Sequence, residues 1–307
     1  MTLALALSGS LAACEVDDEP DTQDPPLAGP STQVERPGGH IAFGEGSVWV
    51  AHPFRGRVTR IDPRSGRVEG EPLETGTGAL DVAVGDGAVW VAHPRDDSVS
   101  RIDPRSGEVT SIEVLEPVAL AVGEGAVWVA SEQLGHLTRI DPDSRRKTTL
   151  LTPLKPYRLA AGEGAVWILA DSDSVVRVDP KTGKAAGPTV EVPEASQEIA
   201  LGEGSVWVSS QGGPKRDTRG PGTVTRIDAR SGTQLGDPID IGKRPTQLAV
   251  GGGSVWIARG AEDAVTKVDV ASGEQTHFRA NEPVDVAIGG GTVWVTERPG
   301  TVKRIRP

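Results

Sequence analysis

With one cysteine, Cys14, the chain has no partner for an intrachain disulfide. One tyrosine, three phenylalanines and an aromatic content of 4% mean that aromatic packing alone cannot build its core. No apolar run reaches the roughly 20 residues a helix needs to cross a bilayer, and helical periodicity is essentially absent. Basic charge is short too: the formal net charge is −11, and without a concentrated basic stripe nucleic acid is excluded as a partner. Gly-x-Ser-x-Gly, His-Glu-x-x-His and metal-spaced cysteine pairs are all missing, which removes the commonest hydrolase and zinc signatures.

What the chain has in quantity is repetition. All seven tryptophans, Trp49, Trp90, Trp128, Trp167, Trp207, Trp256 and Trp294, follow a Gly-x-Gly-(Ser/Ala/Thr)-Val run, at spacings of 41, 38, 39, 40, 49 and 38 residues. A period near 40 with several strand-like runs per unit predicts an all-β fold, a seven-bladed β-propeller of four-stranded blades. In the second repeat, Asp81 to Val84, Val89 to Ala92, Ser98 to Ile102 and Glu108 to Val114 read as four strands. Gly85-Asp86-Gly87 and Asp103-Pro104-Arg105-Ser106-Gly107 supply two of the turns. One inner-strand position is alanine in every repeat (Ala42, Ala83, Ala121, Ala160, Ala200, Ala249 and Ala287), as expected where radial sheets converge on an axis. The last repeat ends after three strands. Thr32 to Arg36 is therefore predicted to close the ring as the outer strand of blade 7, which removes the free edges.

The N-terminus has another character. MTLALALSGSLAAC is too short to span a membrane, reads as a secretory signal, and resembles the lipobox of bacterial lipoproteins, with Cys14 as the lipidated residue. Residues 15 to 31 hold six acids, four prolines and no base, a composition that stays extended. The expected organisation is a signal peptide over 1–13, a tether over 14–31 and the propeller over 32–307. The expected location is outside the cytoplasm, lipid-anchored to the bacterial cell membrane, as a monomer.

Repeats such as LAVGEGAVWVA and VSRIDPRSGEV resemble those of the secreted bacterial YVTN/YncE-like propellers. More loosely, they are similar to NHL-repeat propellers and to virginiamycin B lyase, the streptogramin-opening lyase. The YVTN/YncE-like group commonly carries Asn three residues after the Trp; none of the seven repeats here does. Resemblance to the lyase group implies a divalent ion with His and Glu at the channel mouth. These motifs specify architecture, and fold alone does not fix function.

Positions that vary while staying polar are the candidates for a ligand. Two such rings are expected at the mouth where the loops converge. The first opens each inner strand: His40, Asp81, Ala119, Arg158, Glu198, Gln247 and Asp285. The second lies three residues after each Trp: His52, His93, Ser131, Ala170, Ser210, Arg259 and Glu297. A wet channel mouth is polar anyway, so a solvated rim is the plainer reading. His40, His52, His93, Asp81, Asp285 and Glu297 fall in blades 7, 1 and 2. Lys155, Tyr157, Arg158, Arg244 and Arg259 fall on the other side. Imidazoles beside carboxylates suit a divalent metal ion or acid–base work, so His40, His52, His93, Asp81 and Asp285 are expected as metal ligands and His93 and Glu297 as catalytic candidates. Equivalent positions of adjacent blades stand roughly 8–10 Å apart, so shared ligation requires the side chains to lean inward. Blade 5 adds a Gly/Pro-rich loop from Gln211 to Gly222 with three bases, Lys215, Arg216 and Arg219, a candidate lid over the same mouth.

Gly-x-Gly opens a strand and not a helix, so it is no phosphate loop. The recurring Arg-Ile-Asp-Pro is expected to cap turns and pair blades. Three functions remain: a tethered module binding a small molecule or an envelope protein at its mouth; alternatively, a metal-assisted lyase or hydrolase; or a structural part of an envelope assembly.

Overall fold

The computed structural model describes residues 30–35, 39–152, 154–171, 173–211 and 220–306. Cys14, the leader, the acidic segment to residue 29 and the centre of the blade 5 loop (212–219) lie outside the described residues.

Seven four-stranded antiparallel sheets make seven blades, and helix among the described residues is limited to one 3-10 turn, Gly260–Glu262. First strands of neighbouring blades pack side by side around the axis, those of blades 7 and 1 included. Six blades are continuous in sequence. The seventh takes Ser31–Gln33 as its outer strand against Thr301–Ile305, in the register Thr32↔Val302. The closing strand starts one residue earlier than the sequence predicts and ends at Gln33, and Arg36 lies outside the described residues.

Each conserved-looking element of the repeat has a separate physical cause. The turn between first and second strands places two residues at positive φ, Glu45 at 50° and Gly46 at 74° in blade 1, the requirement of a type I′ hairpin. The Gly before it answers a different need: a Cβ on Gly44 would stand 2.5 Å from Val84 of blade 2. In blades 3 and 5 the turn glutamates bridge outward, Glu124 accepting the Gly164 amide at 2.9 Å and Glu203 that of Gly253 at 3.0 Å.

A second row crosses every blade. The repeated Ala lies directly opposite the Trp, as in Ala42↔Trp49, and the Trp lies opposite a base on the third strand, as in Trp49↔Arg60. All seven bases stack over their Trp, from Arg226 at 5.0 Å to Arg101 and Arg139 at 5.9 Å from the ring centroid. Arg60 also reaches blade 2, donating to the Pro104 carbonyl at 2.8 Å. Each Trp is essentially fully buried between blades, where it supplies the largest apolar body. The Asp that follows caps its turn: Asp62 accepts the amides of Arg64 and Ser65, and the bond from the Ser65 amide leads in holding its carboxyl below the usual range.

Candidate functional site

The two rings part company. All seven residues of the first line a single axial pocket of about 140 Å³, on the face that carries the loops between second and third strands. In three blades a register shift precedes the ring residue, between Pro156/Arg158, Ser196/Glu198 and Pro283/Asp285. Such bulges re-aim a side chain, here toward the axis.

His40 stands between two carboxylates, its Nδ1 3.4 Å from Asp81 Oδ1 and 3.5 Å from Asp285 Oδ2. The Gln247 amide nitrogen is 3.4 Å from the same ring. So these side chains do lean inward. Both aspartates also bind backbone. Asp81 accepts the amides of Val82 at 2.9 Å and of Leu120, in blade 3, at 2.8 Å. Asp285 accepts those of Val286 at 2.7 Å and of Ile41, in blade 1, at 3.0 Å. Across the pocket, Arg158 Nε donates to Glu198 Oε2 at 3.0 Å and Arg158 Nη1 to the Tyr157 carbonyl at 2.9 Å. The Tyr157 hydroxyl bonds to the Ser196 carbonyl, so it ties blade 4 to blade 5 instead of facing the pocket. Burial pushes the Glu198 carboxyl up to about 7 against the pull of Arg158, and burial likewise raises Asp285.

The second ring is not at the mouth. Its residues end the second strands, which are buried from end to end in six blades and from Val293 on in the seventh, and each is under one tenth exposed. His52 bonds to Thr59 at 2.7 Å. His93 packs against Gly76 of the preceding blade, and burial lowers its pKa to about 4. Ser131 donates to the Leu115 carbonyl at 2.6 Å, and Ser210 shares a hydrogen bond of 2.6 Å with Ser196. Arg259 pairs with Glu262 and contacts His277 at 3.2 Å. Glu297 accepts the Asn281 amide at 2.8 Å and the Thr301 hydroxyl at 3.0 Å and pairs with Lys303 at 3.3 Å. The physical reason is the pleat. Third residues after the Trp point opposite to it, and both faces of a second strand are covered by neighbouring blades.

The expected five-residue metal cluster therefore splits, with His52 and His93 between blades and His40, Asp81 and Asp285 at the axis. Among the described residues no group of three His, Cys, Asp or Glu is placed to hold a metal ion. At the axis each oxygen of Asp81 and Asp285 already accepts one backbone amide, and the His40 imidazole faces the same two carboxylates. The catalytic candidates His93 and Glu297 lie away from the axial pocket.

A second depression, to which the repeats give no signal, lies on the same face over blades 6 and 7. It has a volume of about 380 Å³ and is lined by Arg244, Thr246, Gln247, the 3-10 turn at Gly260 and Ala261, Glu282, Pro283, Val284 and Arg298. Gln247 belongs to both pockets. Gly260 is needed for the close approach of this turn, since a Cβ there would lie 2.9 Å from the Pro283 carbonyl.

No family model matches the chain, and no curated protein does. Among solved structures it is similar to a streptogramin B lyase (16% identity, TM-score 0.74, covering 90% of this chain and 96% of that one). It is also similar to virginiamycin B lyase from Staphylococcus aureus (16%, 0.74, 91% and 99%) and to Kuenenia stuttgartiensis hydrazine synthase (15%, 0.75, 90% and 97%). At such identities the likeness is one of fold.

Proposed function

We propose that the protein is a binding module that takes the positively charged head of a small polar ligand in its axial pocket. The observation that carries this reading is the convergence of three largely buried carboxylates, Asp81, Glu198 and Asp285, on one small cavity that holds a single guanidinium, Arg158. Glu198 is paired with that guanidinium, and Asp81 and Asp285 share the one imidazole of His40, so the carboxylates outnumber the cationic groups and an ammonium group would bring the charges closer to balance. At about 140 Å³ the pocket admits a head group and not a folded partner. Nothing in the site favours the lyase alternative over binding, because His93 and Glu297 are packed between blades.

In this reading the chain is tethered outside the cytoplasm through lipidated Cys14. Gln33 pairs with Thr301 beside the mouth loop of blade 7 and Ser31 with Lys303 midway along that strand, so the chain runs toward the mouth as it enters the closing strand. An anchor at Cys14 would thus present the pocket away from the membrane.

The test is titration of the full chain with ε-aminocaproamide, which carries an ammonium and no carboxylate, and with its N-acetyl derivative, which carries neither. The amine should bind and the acetylated compound should not. A double variant, Asp81→Asn with Glu198→Gln, should weaken the amine at least tenfold, about 1.4 kcal/mol. Equal behaviour of the two compounds would overturn the assignment.

A further inference from the structure

Resting on that reading, we infer that the ligand is an extended zwitterion whose anionic end lies in the depression over blades 6 and 7, on Arg244 and Arg298.

Charge is segregated between two cavities that meet at Gln247. The axial one gathers carboxylates. The larger one carries two guanidinium side chains and one carboxylate, Glu282. Arg244 and Arg298 have no ion pair among the described residues, whereas Arg57, Arg158 and Arg259 are each paired with a glutamate. Both arginines are exposed at the rim, so their charges cost little in the free protein and remain available to a carboxylate, which guanidinium groups can bind with two parallel bonds. Glu282 offsets one of the two charges and leaves the depression net positive.

The wall between the cavities is built, not incidental. Thr246 is fixed by its amide and hydroxyl on the Ala258 carbonyl, at 3.0 and 3.2 Å. Its hydroxyl also approaches the Val284 carbonyl of blade 7 at 3.4 Å. Gln247, 9% exposed, follows directly, its amide nitrogen 3.4 Å from His40, and it lines both cavities. Gln247 places no charge at the junction, as suits the uncharged middle of a ligand whose ends carry opposite charge. ω-Amino acids are the simplest compounds of this class.

The probes are ε-aminocaproate and ε-aminocaproamide, with γ-aminobutyrate and γ-aminobutyramide as the shorter pair. They differ only in whether the far end is a carboxylate or a neutral amide. For the better-fitting length the carboxylate should bind roughly tenfold more tightly than the amide, as expected for a charge-assisted bidentate contact. In an Arg244→Gln, Arg298→Gln double variant that advantage should vanish while the affinity for the amide stays the same. Two exposed side chains are changed, and an unchanged melting temperature verifies that the variant folds. Amide binding with no carboxylate advantage in either length would overturn this inference and leave the axial reading standing. Binding of neither compound would overturn both.

Discussion

Asp285 of blade 7 accepts the backbone amide of Ile41 in blade 1 at 3.0 Å, across the seam where the ring closes. Asp81 makes the same bridge from blade 2 to Leu120 of blade 3, but the other five ring positions carry no aspartate. The closure seam is thus fastened by this carboxylate and by the N-terminal strand, together with the Thr296 hydroxyl, which donates to the Gly39 carbonyl at 3.0 Å. Asp285→Ala would leave two amides, those of Ile41 and Val286, without their acceptor. It should cost about 2–4 kcal/mol, by the penalty for buried unmet hydrogen bonds. Urea unfolding would measure it, and hydrogen exchange should show those two amides opening first. Unchanged stability would mean that water replaces the carboxylate.

The alanine opposite each Trp should resist enlargement. Ala160 faces Trp167 across the first two strands of blade 4 and is 6% exposed. Ala160→Leu should destabilise by about 1–3 kcal/mol through overpacking, whereas Trp167→Ala should cost about 3–5 kcal/mol through the cavity it leaves. Chemical denaturation of both variants checks the pair.

Two buried groups impose opposite pH slopes across one window. Glu198 has its folded pKa raised to about 7 from 4.5, so its contribution is fully present below 4.5 and is lost as pH rises toward 7. His93 has its folded pKa lowered from 6.5 to about 4, so its contribution is present above 6.5 and is lost as pH falls toward 4. Each effect is on the order of 1–3 kcal/mol. Stability profiles of Glu198→Gln and His93→Gln from pH 4 to 8 separate them: removing Glu198 should leave a curve that rises with pH, and removing His93 one that falls.

The ring of seven blades was legible because its determinants repeat. Trp, the opposing Ala, the stacked Arg or Lys and the turn Gly recur at one period, and closure followed from counting strands in the last repeat. The first polar ring was legible for the same reason, as the irregular position at the head of a regular strand. His52, His93 and Glu297 fall between blades because spacing from the Trp does not by itself give the pleat, in which Val50 and His52 share one face and Trp49 and Ala51 the other. Of the depression over blades 6 and 7 the sequence picks out Gln247 and Arg244 but not the cavity they line. It depends on connections that do not repeat, with Arg244 at φ 49° and Glu282 at φ 40°, and on the bulge before Asp285.

The measurement that bears most directly on the axial pocket is the affinity of ε-aminocaproamide between pH 5 and 8, in the wild-type chain and in Glu198→Gln. The amine stays protonated throughout, so any change reports the protein. Wild-type affinity should rise as Glu198 ionises near pH 7 and then level off, while the variant should lack that rise and stay the weaker of the two at pH 8. Equal affinity in the two proteins at pH 8, or no binding to either, would contradict a cation site at the axis.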